Sequence, residues 1–438
     1  MNIALFATYF YNRKLYDSIV TAYNIQYKNV DSIEIYRQEK FKKLIYHARN
    51  NVPYYKDKLD DIELINDISK VGFLTKGKIK KNNNQLKAIN INPKRFLANS
   101  TSGSSGESLN FYSDNENFCH NAVNFRGDSW AGLKYGEKSL HFWGAERDIE
   151  KNKSLYKKIK HKYIVKNKML STYHMSEEDM KNYINIYNKY KPSVIVSYPT
   201  PLYHIADFIK KNNIEVFQPK GIIASSETLF PFQRELIEKI FGAKIFNRYG
   251  SREFGHIAAE CKNHNGLHIN TDRFILEIID ANGKVCKPGV LGEIVITDLD
   301  NYVFPFIRYK IGDLGILSDK KCLCGINLPL LEKVEGRVFD LIVGLNGNTV
   351  AGTFFTLLRN KINGWKKFQV IQEKIDQIDF ILEDNDEIDK NIQIILSNII
   401  KEKLGDKMEV NLKIVDKIPL TKTGKFRWVI SKLSPYAK

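Results

Sequence analysis

No apolar run in this chain reaches the length of about twenty residues that a membrane-spanning helix requires, so an integral membrane protein is not expected. Cysteine is scarce. The five present (Cys119, Cys261, Cys286, Cys322, Cys324) are odd in number and too sparse for a disulfide scaffold. Repeats and low-complexity tails are also missing. The early apolar stretch "IALFATYFY" lacks a basic segment ahead of it and a small-residue cleavage site, so it does not read as a secretion signal. These absences predict a cytoplasmic protein. The glycine-rich stretch "STSGSSGES" lacks a Gly-Lys-Ser/Thr ending, which argues against a Walker-type NTPase.

What is present describes a packed globular chain: 43% hydrophobic and 12% aromatic residues argue against disorder. At 438 residues it exceeds the reach of one hydrophobic core, so two or more domains are expected. Lysine and arginine outnumber the acids 67 to 50, a net charge of +17. The lysines are scattered, their runs short ("KGKIKK"), and no base-stacking platform or groove-reading motif accompanies them. They read as solvated surface, and no nucleic-acid partner is expected.

Along the chain, Asp31 and Glu34 suggest a capping box ahead of Phe41, Leu44, Ile45 and Ala48, which recur at helical spacing until "NNVPYY" breaks the pattern. A βαβ rhythm follows. "SVIVSY", "GIIAS" and "KIFNRYG" read as strands, and "PLYHIADFIKK" and "PFQRELIEKIFG" as the helices between them, the second closed by Gly242. Such alternation implies a mainly parallel sheet with ligands at the strands' carboxyl ends. From Leu267 the signals become hairpins, with an Asn282–Gly283 turn in "FILEIIDANGKVC". Beyond Arg337, "KFQVIQ", "IDFILE", a helix around "EIDKNIQIILSNIIKEKLG" and "MEVNLKIV" form a small α+β unit.

Five segments carry possible chemistry. "STSGSSGES" is either a mobile linker or a loop whose backbone amides face a phosphate. In "NRYGSRE" Tyr249 could stack on a purine and Glu253 hold Mg²⁺; in "RYKIGDLG" Asp313 could accept ribose hydroxyls. "EGRVFDLI" lies where the large unit gives way to the small one, and "PLTKTGKFRWV" presents Lys425 in a Pro/Thr/Gly loop. Separately, Cys261, Cys322 and Cys324 with His264 or His268 offer a tetrahedral zinc set.

In this order the five segments resemble the core motifs of the adenylate-forming superfamily. "KLIYHARNNVPYY", "YKPSVIVSYPTPLYHIADFI", "YGSREFGHIAAEC" and "TGKFRWVI" resemble its phenylacetate–CoA ligase branch, including the CapK-type proteins of capsular polysaccharide biosynthesis. The resemblance covers nearly the whole chain. It implies a large N-terminal adenylation domain over residues 1–336, with mixed sheets, a β-rich subdomain and a helical segment at 1–60, and a mobile α+β lid over 337–438.

It further implies that Thr101, Ser102, Gly103, Ser104, Ser105 and Gly106 close over the ATP phosphates. Ser225, Ser226 and Glu227 lie beside the adenine, with Tyr249, Gly250 and Ser251 completing that wall. Asp313 and Arg337 hold the ribose, Glu253 holds Mg²⁺, and Lys425 bridges the substrate carboxylate and α-phosphate. The regions Trp143–Gly144, Tyr198–Thr200 and Ala224–Ser225 line the acid pocket, and His268 rather than His264 completes the zinc set. The implied substrates are ATP and a small carboxylic acid, with coenzyme A or an amine as acceptor. A nucleotide-binding protein without ligase activity is the remaining alternative. The chain departs from the family pattern at Glu107, Arg252 and Phe339.

Overall fold

Two short apolar runs, each followed by a proline-started helix, lie at the centre of the parallel half of a large sheet. β1 (Phe96–Ser100) and β2 (Asn110–Asp114) form a separate antiparallel hairpin ahead of it. β3 (Ser139–Trp143), β4 (Asn167–Ser171), β5 (Val194–Ser197), β6 (Gly221–Ser225) and β7 (Ile245–Ser251) are parallel. β8 (Gly255–Glu260), β9 (Leu267–Ile269), β10 (Phe274–Ile279), β11 (Gly292–Asp298), β12 (Tyr309–Leu317) and β13 (Leu330–Arg337) continue it antiparallel, in the order β10-β11-β12-β13-β9-β8-β7-β6-β5-β3-β4. The computed structural model describes residues 3–101, 109–143, 166–172, 175–337, 341–351, 354–355, 367–383, 390–419 and 426–433.

The two faces of the parallel half are covered differently. Helices Glu177–Tyr190, Pro199–Lys211 and Pro231–Phe241 bury Ile195, Ile222, Ala224 and Ile245 on one face. Ala131, just past helix Phe118–Trp130, packs with Val194, Val196, Ile223 and Phe246 on the other. Helix Pro231–Phe241 stops at Gly242, whose φ of +65° is the left-handed cap expected there. Under the antiparallel half, Phe41, Leu44, Ile45 and Ala48 from helix Val30–Asn51 pack into the main core, as their spacing predicts.

A smaller unit is built from β14 (Leu341–Val343), β15 (Thr349–Ala351), β16 (Lys367–Lys374), β17 (Gln377–Glu383), helix Lys390–Leu404, β18 (Glu409–Val415) and β19 (Val429–Ser431). Its four-stranded sheet runs β18-β17-β16-β19 over a core drawn from residues 342 to 429. The mixed α/β class expected from the sequence is the one observed. Among the described residues, no helix is long and apolar enough to cross a membrane.

Two local expectations are corrected. The first long helix is capped by Asn29, whose side chain accepts from Ser32 N at 2.8 Å, so Asp31 lies inside its first turn. Asn29→Ala is therefore expected to cost about 1 kcal/mol in urea denaturation, and Asp31→Ala less. The Asn282–Gly283 turn is present, with Gly283 at φ +80°, but its second arm is a single bridge between Ile279 and Val285. The strand that pairs with β10 is β11.

Candidate functional site

Tyr249 lies near the end of β7, where the strand packs tightly on β8: a Cβ on Gly250 would meet the Gly255 carbonyl oxygen at 2.4 Å. That approach fixes where Tyr249 points. Its hydroxyl donates to Asp313 Oδ2 at 2.8 Å, joining two residues 64 positions apart. Asp313 follows Gly312 (φ +86°) on β12 and sits directly opposite Arg337 of β13 in the ladder. From the same strand, the Tyr309 hydroxyl donates to Glu253 Oε1 at 3.3 Å, and Glu253 is buried. Tyr249 on β7, Glu253 in the turn after it and Asp313 on β12, all picked out by the sequence, are thus linked through β12.

The adjacent strand supplies the next wall. Ser226, immediately after β6, has φ +70°, a left-handed conformation that a non-glycine residue adopts only where its surroundings enforce it. Glu227 Oε2 accepts from Thr200 N at 3.2 Å, satisfying an otherwise orphaned amide at the start of helix Pro199–Lys211. Thr101 closes the base of the Ser/Gly loop: its amide donates to the Leu109 carbonyl at 2.9 Å, and its Oγ1 accepts from Leu109 N at 3.0 Å. Ser102, Gly103, Ser104, Ser105, Gly106 and Lys425 lie outside the described residues, as does the Arg337 side chain. Trp428 packs edge-on to Phe230 at 5.5 Å.

Residues that the sequence did not single out complete this end of the sheet. Arg248 is buried, donating to Ser225 Oγ at 3.3 Å and to Asp128 Oδ1 at 2.8 Å. Burial pushes the Asp128 carboxyl above its ordinary range, and the Arg248 charge only partly offsets this. His256, with Nδ1 at 3.8 Å from that carboxylate, is held well below its ordinary pKa by burial and then by the Arg248 charge, so it is neutral. Only the polarity of "NRYG" could have signalled this cluster, because Asp128 is 120 positions away.

A second constellation lies at the junction of β8, β9 and the loop before β13. The ligand atoms of Cys261, His268, Cys322 and Cys324 all fall within 4.8 Å of one another. Cys261 Sγ is 3.6 Å from Cys322 Sγ, and Cys324 Sγ is 3.3 Å from His268 Nε2. Tetrahedral zinc with Zn–S of about 2.3 Å separates its ligands by roughly 3.5–3.8 Å, so the set fits. His268 Nδ1 faces the Leu328 carbonyl at 2.9 Å, which orients Nε2 toward the cysteines as a ligand requires. Burial keeps His268 neutral and pushes the Cys261 thiol up to about 12, a penalty that a bound cation would remove. His264 instead contacts Glu260 at 2.9 Å.

The cluster also ties down the N-terminal helices: Ile25 and Ile33 pack with Cys261, Ile326 and Leu328. Asn327 donates its amide to the Gln26 carbonyl at 2.8 Å and its side-chain Nδ2 to the Lys28 carbonyl at 2.9 Å.

Comparisons with known proteins place similar chains among CapK-type proteins and CoA ligases. The CapK C-terminal domain family model matches residues 342–432. Protein CapK of Staphylococcus aureus is 26% identical over 425 residues, 91% of this chain and 89% of that one. A phenylacetate-coenzyme A ligase of Pseudomonas putida is 25% identical, over 76% of this chain and 75% of that one. Among solved structures, 2-hydroxyisobutyryl-CoA ligase in its postadenylation state superposes with a TM-score of 0.72 at 14% identity, covering 94% of this chain and 92% of that one.

Proposed function

From membership of the adenylate-forming superfamily, in the branch that holds phenylacetate–CoA ligases and CapK-type proteins, we propose that this AMP-forming ligase activates a small carboxylic acid with ATP. Pyrophosphate leaves, and the acyl group of the adenylate passes to the thiol of coenzyme A. The observation that carries this reading is the Tyr249–Asp313 hydrogen bond, with Arg337 opposite Asp313 across the β-ladder. It gives one aromatic face for a base and one carboxylate for a ribose, side by side. ATP and coenzyme A place the reaction in the cytoplasm.

A carboxylate approaching a triphosphate meets like charge, so the site needs donors and cations whose grip tightens as charge moves onto the leaving pyrophosphate. Thr101 to Gly106 would supply amides to the β- and γ-phosphates, and Lys425 a charge between the carboxylate and α-phosphate. Mg²⁺, when bound, would neutralise phosphate charge, with Glu253 as its carboxylate; this residue lies in the turn after β7, where the Tyr309 hydroxyl donates to it. Ser226 and Glu227 would border the base. The Cys261, His268, Cys322 and Cys324 set is proposed as a closed structural zinc site, with no part in catalysis.

Pyrophosphate release and hydroxamate trapping across a panel of acids test this directly, with coenzyme A and candidate amines as separate arms. Thioester formation with coenzyme A is expected. Amide formation alone would move the acceptor to an amine, and ATP binding without pyrophosphate from any acid would leave a nucleotide-binding protein. Asp313→Ala should raise the ATP KM roughly a hundredfold, about 3 kcal/mol for two lost hydrogen bonds to a charged group, with little change in the KM for acid. An unchanged ATP KM with lowered stability would make Asp313 a turn residue only.

A further inference from the structure

One polar island interrupts the apolar face of the parallel half. That face is made by Ala131, Val194, Val196, Ile223 and Phe246, with Trp143 at its margin. Two residues further along β6 and β7 come Ser225 and Arg248, directly paired in register and exposed by only 5% and 8%. A buried ion pair contributes little to stability that apolar side chains of the same volume would not, so Arg248 with Asp128 is an uneconomical way to finish this face. The following residues, Ser226 and Tyr249, border the nucleotide end of the site.

The hydrogen bonding of the island is incomplete in one direction. Arg248 Nε and Nη1 are used on Ser225 and Asp128, while Nη2 has no partner among the described residues. The Arg248 side chain keeps 8% of its surface exposed, so it is not wholly sealed from solvent. Ser225 Oγ accepts from Arg248, which leaves its own proton to donate. The island thus offers two adjacent donors. Asp128 balances the Arg248 charge and the neutral His256 ring adds none, so a second carboxylate would arrive without a net positive partner.

We propose that Arg248 and Ser225 select the acid, and that the substrate carries a hydroxyl or carbonyl oxygen beyond its carboxylate, in place of a purely aryl or alkyl body. This rests on the acid-activating reading above. Hydroxy acids and sugar acids satisfy both donors. An apolar acid such as phenylacetate would bury them unmet, and unpaired donors of that kind are what make a polar pocket reject an apolar analogue.

The test compares kcat/KM for pyrophosphate release between hydroxy or sugar acids and alkyl or aryl acids of matched carbon number. A preference of about a hundredfold or more for the oxygenated acids is expected in the wild type. Arg248→Lys keeps a cation beside Asp128 but loses the fork, and Ser225→Ala loses the second donor; each should cut that preference roughly tenfold. Thermal melts establish folding, and if Arg248→Lys does not fold, Ser225→Ala decides. Equal or better use of apolar acids, or an unchanged preference in the variants, overturns the assignment while leaving the ligase reading intact. Absence of pyrophosphate from every acid overturns the ligase reading itself.

Discussion

Lys425→Ala should slow acyl-adenylate formation by about 10²- to 10³-fold, the usual loss when one electrostatic stabiliser leaves a water-excluded site. ATP affinity should stay close to wild type, because Tyr249, Asp313 and the Ser226–Glu227 segment all belong to the large sheet and its connections. Transfer from synthetic acyl-adenylate to the acceptor should survive, because rotation of the small unit about residues near Arg337 would carry Lys425 away before that step. Two measurements decide it: the rates of the two half-reactions, each compared with wild type. Equal loss in both would make Lys425 structural or deny the rotation. No loss in either would make it a surface lysine and displace the C-terminal loop from the mechanism.

The second large effect is expected from the zinc set. Freshly purified protein, kept free of chelators, should carry about one zinc per chain, and Cys322→Ser should carry none. Closed zinc sites put their binding free energy into folding, so this variant should lose several kcal/mol and melt roughly 10 °C lower. The ATP KM of whatever remains folded should hardly move, because Cys322 belongs to the cluster beneath the N-terminal helices and not to β7 or β12. Metal-free native protein of full stability would refute the site.

β5 and β6 were legible because each is a short apolar run followed by proline at a helix start, signals confined to a few neighbouring residues, whereas β3 (SLHFW) and β4 (NKMLS) carry no such signal and were not expected. The errors came where two local signals competed. Asn29 and Asp31 can both cap, and the box with Glu34 favoured the wrong one; the backbone leaves the helix at Asn29. After the Asn282–Gly283 turn, Pro288 cannot donate to a ladder and Gly289 N turns to the Leu317 carbonyl, so the arm stops at one bridge.

The site was legible as motifs but not as a shape. Nothing in the sequence says that Tyr249 touches Asp313, because the antiparallel order that joins them inserts β13 between β12 and β9. Arg248 escaped for a related reason. A buried arginine looks like a strand residue until its carboxylate is found on a distant helix. The choice of His268 over His264 came from family resemblance, and the geometry supplies its physical reason: His268 sits on β9 with a carbonyl behind it, whereas His264 turns to Glu260.

The clamp on the N-terminal helices sets a clock for the growing chain. Ile25 and Ile33 cannot reach their final neighbours, nor Gln26 and Lys28 their backbone partners, until residues as late as Leu328 have left the ribosome. At about 5–20 residues per second, that leaves the first helices waiting on the order of 15–60 seconds with an apolar side uncovered. During that interval they are a natural client for a holding chaperone. Under the proposed zinc site, starvation for zinc would be felt first as poor yield of nascent protein, before any change in the turnover of molecules already made.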